Sequence, residues 1–171
     1  LFDNLDMVIR SMPEPMSSQD ASAFFLLAKQ VSKKQKVVLS GQGADELFGG
    51  YPWYRLMSNE RCASNVQKFE TYYLDRTQDD FKNTISNDHI SLNNTTDFIR
   101  QSFDVYDPSL TFLDKLLRFD ISHLIVDDPV KRVDSMTMAW GLETRVPFLD
   151  QELIEFMCSL SSIDKIKNNG K

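Results

Sequence analysis

The sequence has little cysteine, no excess of basic charge and no long apolar run. Its two cysteines, Cys62 and Cys158, form neither a Cys-x-x-Cys pair nor a dense framework, which excludes a disulfide-rich secreted scaffold and favours a reducing, cytoplasmic setting. The formal net charge of −6 offers no basic field to a phosphate backbone, which argues against a nucleic-acid partner. Because no apolar run is long enough to span a bilayer, a membrane partner is not expected either.

Glycine is also scarce, yet four of the six glycines lie between residues 41 and 50. The surrounding stretch, 37–51, reads VVLSGQGADELFGGY and begins as a short apolar run bounded by charge and glycine, which is typical of a buried parallel strand. Helical patterns lie on both sides of this run. The order helix, strand, glycine loop, helix predicts an α/β fold with a mostly helical C-terminal part.

The remaining periodicity predicts helices with identifiable ends. Pro52 predicts a break shortly after the glycine loop. Asp127 or Asp128 is the expected N-cap of a further helix that carries Pro129 in its first turn, where the missing N–H costs little. Further expectations are a helix that begins at residue 17, 18 or 20 and runs through 31, a helical period over 112–124, core-facing Met136, Met138 and Trp140, an extended segment over 144–150, and an amphipathic helix that starts at Asp150.

The glycine loop has the residues of a ligand site. A strand that ends in Ser40 and Gly41 places backbone N–H groups and a hydroxyl at the carboxyl edge of a parallel sheet, where open α/β sheets bind ligands. Asp45 and Glu46 follow in the first helical turn. Their position has two explanations, a favourable interaction with the helix dipole or, for Asp45 by preference, an oxygen ligand for Mg²⁺ on a nucleotide. The loop is not a P-loop, because no Gly-Lys-Ser/Thr follows its glycines. It is not a dinucleotide fingerprint either, because the glycine spacing is different.

Two long stretches together resemble one enzyme family. The first, 37–51, reads VVLSGQGADELFGGY, and the second, 130–156, reads VKRVDSMTMAWGLETRVPFLDQELIEF. They are similar to the motifs SGxGxDExFxGY and DRMSMAxxxExRVPFLD of the synthetase domain of glutamine-dependent asparagine synthetases. The resemblance implies that 1–171 is part of an ATP-pyrophosphatase domain, of the adenine nucleotide alpha hydrolase type. It also implies an enzyme that uses ATP and Mg²⁺ to activate a carboxylate as an acyl-adenylate, which ammonia from a glutaminase domain converts to an amide.

The resemblance also assigns roles to individual residues. Ser40 and Gly41, with Gly43 beside them, fall where the family contacts the nucleotide, and Asp45 falls at its Mg²⁺–pyrophosphate site. Gln42 stands where asparagine-forming members carry a glutamate near the reacting carbonyl; a neutral amide cannot act as a base, but it can orient substrate. Lys171, after the last glycine, matches a family lysine that stabilises developing negative charge. Gln42 and Lys171 are therefore the expected catalytic residues.

The acceptor carboxylate is left open by the sequence. The neutral residue at position 42 puts aspartate in doubt, and SGQGADE followed by PWY looks closer to the N-acetylglutaminylglutamine amidotransferase subgroup, whose acceptor is a dipeptide. A non-catalytic remnant or interaction domain is a further alternative. The resemblance also leaves a homodimer open.

Charged residues of the second stretch have a structural and a functional interpretation. The family keeps a basic residue and an acid at the places of Arg132 and Asp134, and Glu143, Arg145 and Asp150 are implied to support the wall of the site. The structural interpretation is a salt-bridged helix surface, with Arg145 in a bidentate bond to a carboxylate. Spacing alone does not decide between the two.

The chain is long enough, at 171 residues and 42% hydrophobic content, to bury one sizeable core. It contains no SGGxDS string, with which the family grips pyrophosphate, and no N-terminal cysteine of a glutaminase. Its start on Leu1 and its end in NNGK predict a piece of a longer protein. We therefore expect this polypeptide alone neither to hydrolyse glutamine nor to turn over ATP well.

Overall fold

The computed structural model describes residues 2–14, 19–61, 63–86 and 94–166, and the chain is mostly helical with a small parallel sheet. None of the helices in these ranges combines the length and the apolar character needed to cross a bilayer. The helices are α1 Leu5–Arg10, α2 Gln19–Val31, α3 Ala44–Phe48, α4 Pro52–Asn59, α5 Asn65–Tyr72, α6 Gln78–Thr84, α7 Asn94–Asp104, α8 Phe112–Phe119, α9 Lys131–Met138, α10 Gln151–Ser159 and α11 Ser162–Lys165, and the strands are β1 Val37–Leu39 and β2 Glu143–Arg145.

The sheet brings the two long sequence stretches together. Strand β1 belongs to the first stretch and β2 to the second, and they pair in parallel with Val37 opposite Glu143 and Leu39 opposite Arg145. The backbone N–H of Ser40 extends this ladder, since it donates to the carbonyl of Arg145 at 2.9 Å. The predicted parallel strand and the α/β arrangement are confirmed, but the predicted burial of the strand is wrong, because Val37 and Leu39 are 40% and 73% exposed in this two-stranded sheet.

Glycine and proline divide the chain after β1 into two short helices, and the break predicted from Pro52 is confirmed. Helix α3 ends at Phe48 because Gly49 adopts a left-handed conformation with φ of 70°, which glycine reaches without steric cost. Helix α4 begins with Pro52 at its first position, where a proline leaves no hydrogen bond unmade. The turn between them contains Gly50 and Tyr51.

The predicted helix start at Asp127 or Asp128 is wrong. Between α8 and α9 the chain stays helical through two wider π-helical segments, Asp120–Leu124 and Val126–Val130, and Pro129 lies inside the second. A wider turn tolerates the missing N–H of a proline, and the buried positions Ile125, Pro129 and Val133 keep this segment against the rest of the molecule. Burial of one continuous face therefore prevails over the local tendency of proline to begin a helix.

Most of the buried apolar residues in the described ranges belong to two clusters. The aromatic core packs behind α3, and the sheet-side core joins α1, α2 and α9. Met136 is buried and Trp140 packs against the sheet-side core, as predicted, but Met138 is 54% exposed, because it projects from the opposite side of α9. The aromatic core consists of Tyr54, Met57, Phe69, Ile99, Phe103, Leu113, Leu116, Leu117 and Phe119, and the sheet-side core of Val8, Ala21, Phe25 and Met136.

The segment after β2 is less extended than predicted. Pro147–Leu149 form one 3₁₀ turn, which the fixed φ of proline allows at a first helical position. Asp150 then caps α10 as predicted, because its Oδ1 accepts hydrogen bonds from the N–H groups of Glu152 and Leu153. The turn places Leu149 close to the glycine loop.

Candidate functional site

The carboxyl ends of β1 and β2 form the sheet edge at which the sequence predicts a ligand site. Ser40 is held at this edge by its bond to Arg145, and Gly41 is the first residue to leave it. Gln42 is half-buried in the turn that leads into α3. Since the ends of neighbouring parallel strands lie side by side, the first and second stretches share one edge.

Two glycines of the loop have different surroundings. Gly43 has φ of 91°, and a Cβ added there would collide with the side chain of Leu149. The positive φ and the contact with Leu149 each account for a glycine at position 43, and neither requires a bound ligand. A Cβ on Gly41 would meet no heavy atom within 4 Å, apart from its chain neighbours. Gly41 is therefore the glycine whose open side leaves room for a bound molecule.

Asp45 is exposed beside this loop and lies against the backbone of Gly50. A Cβ on Gly50 would collide with Oδ1 of Asp45, and the N–H of Gly50 donates to the carbonyl of Asp45 at 3.0 Å. The missing side chain of Gly50 thus leaves space for the carboxylate. Asp45 has the exposure that an oxygen ligand needs.

Glu46 differs sharply from its neighbour, because it is buried. Its Oε1 accepts a hydrogen bond from the hydroxyl of Tyr51 at 2.9 Å. Burial, together with the bond to Glu46 and its charge, raises the pKa of Tyr51, so the hydroxyl remains protonated and continues to donate. The two adjacent acids therefore have separate environments, one exposed and one internal.

Asp120 is a buried acid that the sequence analysis did not single out. Both carboxylate oxygens accept hydrogen bonds, one from the hydroxyl of Tyr54 and one from that of Tyr73. Burial and, to a smaller extent, the charge of Glu46 raise the pKa of Asp120 to about 7, against the opposing effect of the tyrosine bonds. One sequence signal existed, because Asp120 continues the apolar helical face of Leu116.

The two arginines of the second stretch form ion pairs with acids nearby in the sequence. Arg132 is buried, and its Nη1 lies 3.1 Å from both oxygens of Asp128, one turn earlier. On β2, the exposed Arg145 donates from Nε to Glu143 Oε1 at 2.8 Å. Asp134 is exposed on α9, and Asp150 serves as a helix cap. Lys171, the second expected catalytic residue, lies outside the described residues.

A comparison with protein families decides the class of this chain. The family model described as asparagine synthase matches residues 1–171. The chain belongs to the asparagine synthase family. The family resemblance predicted from the two stretches is thereby confirmed.

Members of the asparagine synthase family from distant organisms are similar to this chain. It is 27% identical to asparagine synthetase [glutamine-hydrolyzing] 1 of Bacillus subtilis, over 98% of the chain and 31% of that protein. It is 30% identical to a putative asparagine synthetase [glutamine-hydrolyzing] 1 of Methanocaldococcus jannaschii, over 73% of the chain and 14% of that protein. For asparagine synthetase [glutamine-hydrolyzing] 1 of Saccharomyces cerevisiae the identity is 26%, over 96% and 20%. The chain thus spans less than a third of the length of these relatives.

The donor set of this asparagine synthase family member is compatible with a nucleotide-bound magnesium ion. Within the described ranges, no three or more His, Cys, Asp or Glu side chains converge into a cluster that could hold a metal by itself. Magnesium at phosphate groups needs fewer protein ligands, because one or two carboxylates, water and phosphate oxygens complete its shell. The exposed carboxylate of Asp45 beside the open Gly41 meets that requirement.

Proposed function

We propose that the chain is part of the synthetase domain of an ATP-dependent amidotransferase. The observation that carries the proposal is the shared sheet edge, where both family stretches meet and Gly41 is open, with the exposed Asp45 following in the first turn of α3. Family membership over residues 1–171 supports the same class. An ATP-pyrophosphatase fold is the proposed architecture of the whole domain, and the free thiol of Cys158 agrees with a cytoplasmic enzyme.

The proposed reaction has two covalent steps. A carboxylate oxygen of the acceptor attacks the α-phosphorus of ATP, and pyrophosphate leaves. Ammonia then adds to the acyl carbon and loses a proton, and AMP departs with the electron pair of the broken C–O bond, which leaves an amide. In this family member ammonia is proposed to come from a glutaminase domain of the same enzyme.

Each site residue has a proposed task in these steps. The Ser40 hydroxyl and the backbone at Gly41 contact the nucleotide, since the open side of Gly41 permits close approach. Asp45 would hold Mg²⁺, which supplies charge neutralisation at the phosphates when bound. Gln42 orients the acceptor by hydrogen bonds, because a neutral amide has no basic oxygen for proton abstraction. Lys171 is the proposed cation for the developing negative charge.

Aspartate is the proposed acceptor, because the relatives are named asparagine synthetases. N-acetylglutaminylglutamine is the informative competitor, because Gln42 replaces the glutamate that asparagine-forming members carry there. The two acceptors differ in size and in the number of hydrogen-bonding groups. A comparison of the two acceptors therefore tests directly which of them an enzyme with Gln42 accepts.

The test is pyrophosphate release by the full-length protein that carries this chain, with ATP, Mg²⁺ and an ammonium salt in place of glutamine. Aspartate is expected to trigger release, and the variant Asp45→Asn is expected to lower the rate by about tenfold or more. The matched control is Asp104→Asn, which removes an exposed acid at the end of α7 and should retain the rate. Release with the dipeptide alone would replace the acceptor, and no release with either carboxylate would contradict the proposal.

A further inference from the structure

Behind the candidate site lies a group of tyrosines bonded to buried carboxylates, which we name the tyrosine–carboxylate frame. It consists of Glu46, Tyr51, Tyr54, Tyr73 and Asp120. Among the described residues, no ion pair involves Glu46 or Asp120, so the tyrosine hydroxyls are their hydrogen-bonding partners in place of a cation. A buried carboxylate without such donors would be strongly destabilising, which makes these bonds essential to the packing.

The frame joins four parts of the chain. Glu46 lies on α3, Tyr51 precedes α4, Tyr54 lies on α4, and Tyr73 follows α5. Asp120 begins the π-helical segment after α8. The two carboxylate groups are linked through the rings of Tyr51 and Tyr54, whose centroids are 5.6 Å apart. The frame thus connects α3 to the well-packed interior.

Helix α3 depends on these contacts for its orientation. It has five residues, and glycines in left-handed conformations, Gly43 and Gly49, lie at both of its ends with no side-chain capping bond. A helix of that length has little stability of its own. Its buried side chains are those of Leu47 and Glu46, which are both almost completely buried. A shift of Glu46 would therefore move the adjacent Asp45.

We propose that Glu46, through its hydrogen bond from Tyr51, is a positioning residue that fixes α3 and thereby the carboxylate of Asp45 at the sheet edge. Asp120 anchors the same frame from the interior through Tyr54 and Tyr73. The inference rests on the proposed function for the role of Asp45. In this inference, the position of Asp45 depends on the two buried acids and three tyrosines of the tyrosine–carboxylate frame.

The decisive variant is Tyr51→Phe, which removes one hydroxyl and keeps the ring that stacks on Trp53 with a centroid distance of 4.1 Å. In the full-length protein, we expect the Mg²⁺ concentration for half-maximal pyrophosphate release to rise by about 10- to 100-fold, as is usual when a group that orients a metal ligand is lost. The KM for aspartate should not change, since no contact to the acceptor is removed. An unchanged Mg²⁺ dependence would overturn the proposal.

The matched control is Tyr72→Phe. Its hydroxyl also donates to a carboxylate, Glu60, at 3.5 Å, and its ring also packs against the aromatic core. This variant should leave the Mg²⁺ dependence unchanged. Glu46→Gln keeps an oxygen that accepts from Tyr51 and should rescue much of the effect seen in Glu46→Leu. Equal losses in both Glu46 variants would contradict a role based on the hydrogen bond.

Amide hydrogen exchange separates this inference from the proposed function. If the wild-type protein releases no pyrophosphate, the proposed function fails, yet exchange at residues 44–48 still reports how stably α3 is held in place. We expect exchange at these residues to be at least about tenfold faster than wild type in Tyr51→Phe, and unchanged in Tyr72→Phe. Equal exchange rates in α3 for wild type and Tyr51→Phe would overturn the frame, whatever the activity.

Discussion

The two sides of the glycine loop are packed very differently. Behind α3, the aromatic core encloses its rings almost completely. On the other side, β1 leaves Leu39 73% exposed, and residues of α2, α9 and the two strands, with Ser40, line a cavity of about 230 Å³. Apolar burial, which provides most of the folding free energy, is therefore concentrated behind the candidate site.

This contrast separates stability from binding. Residues of the tyrosine–carboxylate frame have many partners in the interior, so their loss should lower the free energy of unfolding. Gly41 and Asp45, at the sheet edge, have few protein contacts beyond the backbone of Gly50. Their loss should weaken ligand binding and leave the fold intact.

The largest expected effect is on the packed side. Asp120→Ala would leave the hydroxyls of Tyr54 and Tyr73 buried with no acceptor, and should lower the free energy of unfolding by about 3 kcal/mol or more, because each unsatisfied group costs about 1–3 kcal/mol. Urea denaturation measures this difference. Asp104→Ala, at an exposed acid, should change stability by less than about 0.5 kcal/mol. Similar values for both variants would abolish the contrast between the two sides.

The second effect is a dependence of stability on pH. Burial raises the pKa of Asp120 from 3.8 to about 7, so the folded state holds a proton that the unfolded state has released between these values. The contribution of Asp120 is full below about pH 4 and is lost as the pH rises towards 7, with a slope of at most about 1.4 kcal/mol per pH unit. Unfolding measured across this range should show the decrease in wild type and a weaker one in Asp120→Asn. Identical pH profiles would contradict the raised pKa.

The two loop glycines provide a smaller but sharper comparison. Gly43→Ala should lower the free energy of unfolding by about 1–3 kcal/mol, because alanine disfavours the left-handed conformation and its Cβ would meet Leu149. Gly41→Ala should stay within about 0.5 kcal/mol of wild type, since its Cβ has open space. Nucleotide binding should be reduced in Gly41→Ala. Equal stability of the two variants would show that the loop is not divided in this way.

Local signals in the sequence were sufficient for part of this structure. Pro52 correctly predicted the break between α3 and α4, and Asp150 correctly predicted the start of α10, because each acts within one turn of the backbone. The helix start at Asp127 or Asp128 was wrong, since burial of a long helical face outweighed the local effect of Pro129. Local sequence signals thus predicted where some helices begin and end, but not that the chain stays helical across Pro129.

The candidate site was predictable where its parts adjoin in sequence. Ser40, Gly41 and Asp45 follow one strand, and the motif resemblance brought the second stretch beside it. The tyrosine–carboxylate frame was not predictable, because Asp120 binds tyrosines 66 and 47 residues away. The contact between Gly43 and Leu149 likewise joins separate stretches. Such contacts depend on tertiary packing, which no local pattern encodes.

We propose that the sheet edge and the adjoining α3 bind a magnesium nucleotide through Gly41 and Asp45. Titration calorimetry of ATP into the full-length protein, with and without Mg²⁺, tests it most directly in wild type and Asp45→Asn. We expect that Mg²⁺ strengthens ATP binding in wild type and that Asp45→Asn loses about tenfold or more of this gain. The affinity without Mg²⁺ should remain unchanged. An Asp45→Asn variant that binds ATP and Mg²⁺ as tightly as wild type would contradict it.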